Sequence, residues 1–212
     1  MSRRHVRLAV ALALSVVVVV ACNPHNEESA TTSPAEELVA KTESGDLGRI
    51  TPVKLVDQDG HAFGQAELGG HVWIGAMMLT SCTMMCPLMA ERMAYLQKLL
   101  PSHAPSIRLL SITVDPEKDT PDVLLAYGKR FHREPATWTF VTGETAPIFE
   151  AVNAGYRRAP SVKGNFDHGN TLVLVGRDGR IEGYYGKDDG GVARIFADAD
   201  RLALASSESA SR

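Results

Sequence analysis

The chain has 212 residues, 44% hydrophobic and 22% charged, with a formal net charge of −3, which are proportions of an ordinary globular protein with room for one domain and appendages. No block of basic residues alternates with aromatics, which argues against a nucleic-acid partner. The 3 cysteines are too few for a disulfide scaffold or a four-cysteine zinc knot. Their positions say more than their number, since Cys22 ends an apolar run while Cys82 and Cys86 stand together mid-chain.

Arg3, Arg4 and Arg7, with no acidic residue, precede the apolar run Leu8–Val20, so residues 1–21 have the charged and apolar regions of an export signal. The run is short for a permanent span, which takes about 20 apolar residues. It ends at Val19-Val20-Ala21-Cys22, which resembles a bacterial lipobox. That resemblance implies that Cys22 is acylated and becomes the N-terminus of an exported lipoprotein, anchored to a membrane and facing the periplasm or the cell exterior. Residues 22–46 are Glu-, Ser- and Pro-containing without an aromatic, too polar to offset the cost of ordering, and read as a flexible tether. The Ser-rich residues 206–212 read as a frayed tail.

Residues 47–205 form the predicted domain. Val53–Val56 followed by Asp57-Gln58-Asp59-Gly60 predicts a strand entering a turn, the start of an N-terminal hairpin extension. The continuous apolar run Val72–Leu79 predicts a strand covered on both faces. Leu88, Met89, Met93, Leu96, Leu99 and Leu100 recur near helical spacing and predict a helix over 87–100. Ile107–Val114 is again strand-like, and Thr120-Pro121 predicts a helix through Phe131 with Thr120 as its N-cap and proline at the first helical position. A strand at 138–141, a short helix at 146–152, a hairpin of 171–175 with 180–185 and a last helix over 192–204 complete the order. Strands alternating with helices, then a hairpin and a helix, predict an α/β sandwich of the thioredoxin type, a central mixed sheet flanked by helices.

One segment concentrates the chemistry. Cys82-Thr83-Met84-Met85-Cys86-Pro87 falls where a buried strand runs out and a helix begins, a junction whose free N–H groups stabilise a thiolate. Were the segment helical, the two cysteines would share one face. The spacing leaves three readings open: a disulfide pair, a chelate for a soft ion such as Cu(I), or two structural core cysteines. Holding Cu(II) as well calls for an imidazole. Of the 7 histidines, His168 stands apart because Asn165–Asn170 leads into a core strand, whereas His61, His71, His103 and His132 lie in polar surroundings. By position alone His168 is equally a loop residue. Met77, Met78, Met89 and Met93 read as core, and Met84 and Met85 between the cysteines as a docking or transfer surface.

Cys82-x-x-x-Cys86-Pro87, the string Asp115-Pro116-Glu117-Lys118-Asp119-Thr120-Pro121, then Trp138-Thr139-Phe140 and Asp167-His168 before a strand together resemble the SCO/SenC family of copper chaperones. The resemblance runs from about Val53 to Tyr185. It implies a thioredoxin-like domain that binds copper through Cys82, Cys86 and His168 and matures the dinuclear copper centre of cytochrome c oxidase subunit II, or serves another copper protein. It also marks Asp115 as a supporting or docking acid. Two features depart from the family pattern: Thr83 replaces the proline usual after the first cysteine, and a lipobox-like cysteine replaces a transmembrane anchor. The implied role is that of a metallochaperone, not an enzyme. The rival is a thiol-disulfide oxidoreductase in which Cys82 and Cys86 cycle between dithiol and disulfide to reduce client cysteines.

Overall fold

Seven successive buried residues, Val72–Met78, form β4, the strand around which the rest is organised. Successive side chains of a strand point to opposite faces, and the computed structural model divides this strand's residues accordingly between two cores. Val72, Ile74, Ala76 and Met78 join one cluster, while Trp73 and Met77 join the other. The structure describes residues 40–41, 46–50, 54–100, 106–158 and 169–209, all within the compact unit Thr32–Arg212.

The elements follow in the order β1 (Ala40–Lys41), β2 (Leu55–Asp57), β3 (Ala62–Phe63), α1 (Gln65–Leu68), β4 (Val72–Met78), α2 (Met85–Leu99), β5 (Ile107–Thr113), α3 (Pro121–Arg130), β6 (Trp138–Gly143), α4 (Ala146–Arg158), β7 (Thr171–Val175), β8 (Ile181–Gly186) and α5 (Asp189–Ser209). The strands make one mixed sheet in the order β1-β8-β7-β4-β5-β6-β2-β3. β4, β5 and β6 run parallel, and each crossover between them carries a helix, as parallel neighbours require. β7 returns antiparallel beside β4, followed by the hairpin to β8. The β2–β3 hairpin adds antiparallel to β6 at the far edge.

On one face α2, α3 and α5 supply Cys86, Met89, Met93, Leu96, Leu124, Tyr127, Val192, Ile195 and Ala199. On the other, α4 supplies Ile148, Val152 and Tyr156, which pack against Trp73, Leu110, Ile112 and Tyr184. Gly155 lets α4 lie close to the sheet, since a Cβ there would stand 2.2 Å from the Leu47 carbonyl oxygen and 2.3 Å from Tyr184 Oη. No described helix is long and apolar enough to cross a membrane.

The α/β thioredoxin-type sandwich with its N-terminal hairpin is thus observed, with differences at the ends of elements. β1 falls within the segment expected to be tether, because Ala40 and Lys41 pair with Tyr184 and Gly183 of β8. The last helix runs to Ser209, into the expected tail, and α4 continues to Arg158, well past the short helix predicted. Thr120 does occupy the N-cap of α3, but its side chain makes no capping hydrogen bond. The signal segment, Cys22 and His168 lie outside the described residues.

Candidate functional site

Cys82 and Cys86 sit at the C-terminal end of β4, where the parallel pairing of Met78 with Thr113 brings the ends of β4 and β5 together. The chain leaves the sheet at Leu79, and Cys82 N–H donates to the Leu79 carbonyl at 3.3 Å, closing a turn. Helix α2 begins only at Met85, so the cysteines do not share a helical face. Cys82 precedes the helix and Cys86 lies in its first turn. They meet by a different device, the backbone N–H of Cys86 donating to Cys82 Sγ at 3.4 Å. The first N–H groups of a helix have no partner within it. The N-cap residue Met84 offers α2 no side-chain bond, and the Cys82 sulfur supplies an acceptor in its place.

This geometry splits the two thiols. The Cys86 N–H holds Cys82 below the ordinary thiol range, and the N–H groups of Met84 and Met85 add to the effect against a modest opposing contribution from burial. Cys86 is buried, and that burial first, with the neighbouring Cys82 and Asp119 adding to it, pushes its thiol up to about 11. The two sulfurs are within hydrogen-bonding reach of each other, both are free thiols, and Cys82 is half-exposed where Cys86 is buried. The result is one accessible, ionisable sulfur backed by one enclosed sulfur.

A buried carboxyl group braces the loop that carries them. Asp119, 1% exposed, accepts the Thr80 N–H at 3.1 Å, the Thr80 hydroxyl and the Thr113 hydroxyl at 2.5 Å. It thereby ties the start of the cysteine loop to the end of β5. Asp115, singled out from sequence, is placed differently. Its carboxyl pairs with Lys118 Nζ at 2.8 Å, and its own N–H donates to Thr113 Oγ1 at 2.9 Å. The bracing acid was therefore missed. Its signal lay in the same Asp115–Pro121 string, in the acid adjoining the helix cap.

A second buried group was also missed. Tyr127 of α3 is 4% exposed, and its hydroxyl has no hydrogen-bond partner among the described residues. It belongs to the same core cluster as Cys86. Nothing in its sequence position distinguishes it from an ordinary core aromatic on the apolar face of α3.

Of the methionines, Met77, Met78, Met89 and Met93 are buried core residues. Met84 is 73% exposed beside Cys82 and Met85 half-buried. His61 and His132 are exposed, whereas His71 is half-buried. No group of three or more His, Cys, Asp or Glu converges to hold a metal among the described residues; His168 is not one of them.

Comparison with known proteins places this geometry in context. The model of the family described as SCO1/SenC matches residues 42–203. A curated relative, the SCO1 protein homolog of Bacillus subtilis (strain 168), is 29% identical over 136 residues, covering 62% of this chain and 70% of the relative. Among solved structures, a SCO1/SenC family lipoprotein from Bacillus anthracis str. Ames superposes with a TM-score of 0.60 at 27% identity, over 74% of this chain and 95% of that one. Bradyrhizobium japonicum ScoI with copper bound superposes with a TM-score of 0.56 at 26% identity, over 72% of this chain and 98% of that one. With a family match across every strand but β1 and every described helix but the last turns of α5, the chain belongs to the SCO1/SenC family.

Proposed function

We propose that the protein is a copper metallochaperone, in which Cys82, Cys86 and His168 take up one copper ion as cargo and pass it to an apo partner, the dinuclear copper centre of cytochrome c oxidase subunit II. The observation that carries this reading is the pair of sulfurs held within reach of each other at the mouth of α2, both reduced and one half-exposed. Two thiolates suit Cu(I), and an added imidazole suits Cu(II). Sheet register supports the choice of His168. Leu172 of β7 pairs with Ala76 near the C-terminal end of β4, and His168 is separated from the start of that strand only by Gly169 and Asn170. A shallow site is what ligand exchange requires, and Met84 beside Cys82 offers an apolar rim against which a partner can dock. The likeness to a SCO1/SenC family lipoprotein and the export-signal and lipobox-like pattern ending at Cys22 support anchoring to a membrane through an acylated N-terminus, on its outer side.

The test is copper titration of the reduced full chain. One tight equivalent is expected, lost in Cys82→Ser and in Cys86→Ser, with His168→Ala weakening Cu(II) more than Cu(I). Equal Cu(II) affinity in that last variant removes His168 from the site, and retention of copper by the double cysteine variant removes the site altogether.

A second reading, reduction of client cysteines, draws on the unequal thiols, since a half-exposed thiol held low beside a buried one pushed up is the arrangement of an attacking and a resolving cysteine. In that case metal-free protein exchanges disulfides rapidly with a client peptide, and His168→Ala has no effect. Slow exchange in the absence of copper rules it out. The reduced pair alone binds copper, so oxidation switches binding off under either reading.

A further inference from the structure

The direction in which a strand enters a sheet fixes the end from which its chain arrives. Ala40 of β1 pairs with Tyr184 of β8, Tyr184 with Val173 of β7, and Val173 with Gly75 of β4. Lys41 stands one step further along, at the level of Ile74, through Gly183 and Leu174. The chain therefore comes down the β8 edge from the Met78 end of β4, the end at which Cys82 and Cys86 stand. Later contacts keep this course. Ile181 N–H donates to the Gly48 carbonyl at 2.9 Å, Ile50 N–H to the Gly179 carbonyl at 2.8 Å, and Arg49 bridges antiparallel to Arg180. The last helix goes the opposite way. α5 starts at Asp189, shortly after Gly186, which pairs with Thr171 at the cysteine end. Its Ala203 carbonyl accepts from Arg177 Nη2 at 3.0 Å, and Arg177 Nη1 donates to the Gly70 carbonyl at 2.7 Å, beside the Val72 end of β4.

We propose that the domain hangs from its membrane by the cysteine end, so that the mouth of α2 and the exposed Met84 beside it face the lipid surface and serve a copper acceptor attached to that same membrane. The inference rests on the reading above, with copper as cargo and Cys22 acylated, and adds the orientation of the site. Length makes the direction count. Only residues 23–39, 17 in all, separate Cys22 from Ala40, at most about 60 Å of chain. β4 has 7 residues and spans about 23 Å, which is the added distance to the opposite end of the sheet. Across the sheet, β8 and β7 alone stand between β1 and β4, so β4 lies about 14 Å to the side. The sulfurs are thus nearer the root of the anchor than Gly70 or Arg177. A site turned to the membrane meets acceptors standing on it at high effective concentration and is turned away from thiols free in solution.

The experiment places the chain acylated at Cys22 in lipid nanodiscs that carry a gadolinium chelate on a small share of headgroups, and reads amide relaxation. Enhancement is expected to be several-fold larger at residues 80–85 and 187–189 than at Gly70, residues 177–179 and Ala203. The same chain with Cys22→Ser and a lipid joined enzymatically to its C-terminus should reverse the gradient. It should also pass Cu(I) several-fold more slowly to a two-cysteine peptide anchored in the same disc, with transfer to the free peptide unchanged. Met84→Ser should leave the gradient of the Cys22-anchored chain in place. Its loss would mean that the apolar rim dips into lipid and sets the orientation, which overturns the part given to the anchor. A level or reversed gradient in the acylated chain, or equal transfer from both anchor points, overturns the orientation alone. No acyl group on Cys22 by mass spectrometry of the membrane-extracted protein, or no copper uptake, overturns this inference together with the reading on which it rests.

Discussion

The two faces of the central sheet are made by the same strands, yet they differ in what they leave unfinished. On the face covered by α4, the largest polar group is satisfied: the Tyr184 hydroxyl donates to the Val152 carbonyl at 2.7 Å, in the space that Gly155 leaves open. On the face covered by α2, α3 and α5, two free thiols stand at the helix mouth and the Tyr127 hydroxyl is buried without a partner among the described residues. One face has its tyrosine hydroxyl matched. The other keeps unmatched polar chemistry at the end where β4 and β5 stop, the end of parallel strands where ligands bind in open α/β sheets. The lesson is that free thiols and an unmatched tyrosine hydroxyl, not hydrophobic content, distinguish the working side of this fold.

The largest effect expected is at the brace that keeps the working end in shape. Asp119→Ala removes one acceptor shared by the Thr80 N–H, the Thr80 hydroxyl and the Thr113 hydroxyl, and should cost about 3 kcal/mol, since hydrogen bonds to a charged group are the stronger kind and the Thr113 hydroxyl is left buried. Urea unfolding gives the magnitude. Amide exchange gives the location: protection should fall at Thr80 and Cys82 and stay unchanged along β8 and α4. A uniform loss across both faces would show that Asp119 supports the whole sheet and would break the contrast drawn above.

The next effect is smaller and opposite in sign on the two faces. Tyr184→Phe strands the Val152 carbonyl and should cost about 1 kcal/mol. Tyr127→Phe removes an unmatched hydroxyl and should cost nothing, with a gain of up to about 1 kcal/mol in metal-free protein. Paired thermal melts of the two variants decide the matter. Equal losses would mean that Tyr127 is as well satisfied as Tyr184 in solution.

The difference between the faces also explains how much could be read from the sequence. Element order, the buried strand at 72–78 and the helix over 85–99 were legible because burial on both faces and helical spacing leave strong periodic signals. The meeting of Cys82 and Cys86 was legible as a strand-to-helix junction, but the means was not. A sulfur accepting a helix N–H from outside the helix depends on where α2 starts, and element boundaries are the least certain part of any pattern. Asp115 and Asp119 share one motif, and only the fold separates the acid that pairs with Lys118 from the one that is buried. β1 escaped because two residues, Ala40 and Lys41, pair through their backbone to β8, which side-chain pattern does not encode.

Thr120 provides the smallest effect and a test of the same distinction between position and contact. It precedes Pro121 with the extended backbone of an N-cap, and a threonine cap that accepts a backbone N–H typically contributes about 1 kcal/mol. Here the hydroxyl makes no such bond. Its own N–H donates to the Lys118 carbonyl at 3.0 Å, and its carbonyl accepts the Leu124 N–H at 3.0 Å. The backbone alone, fixed by proline in the first turn, starts the helix. Thr120→Ala should therefore cost less than about 0.5 kcal/mol, within the ordinary range of surface substitutions, and leave copper uptake unchanged. A cost near that of a working cap would mean that the hydroxyl closes onto α3 in solution. The junction between the Asp119 brace and α3 would then be held by side chains as well as by backbone.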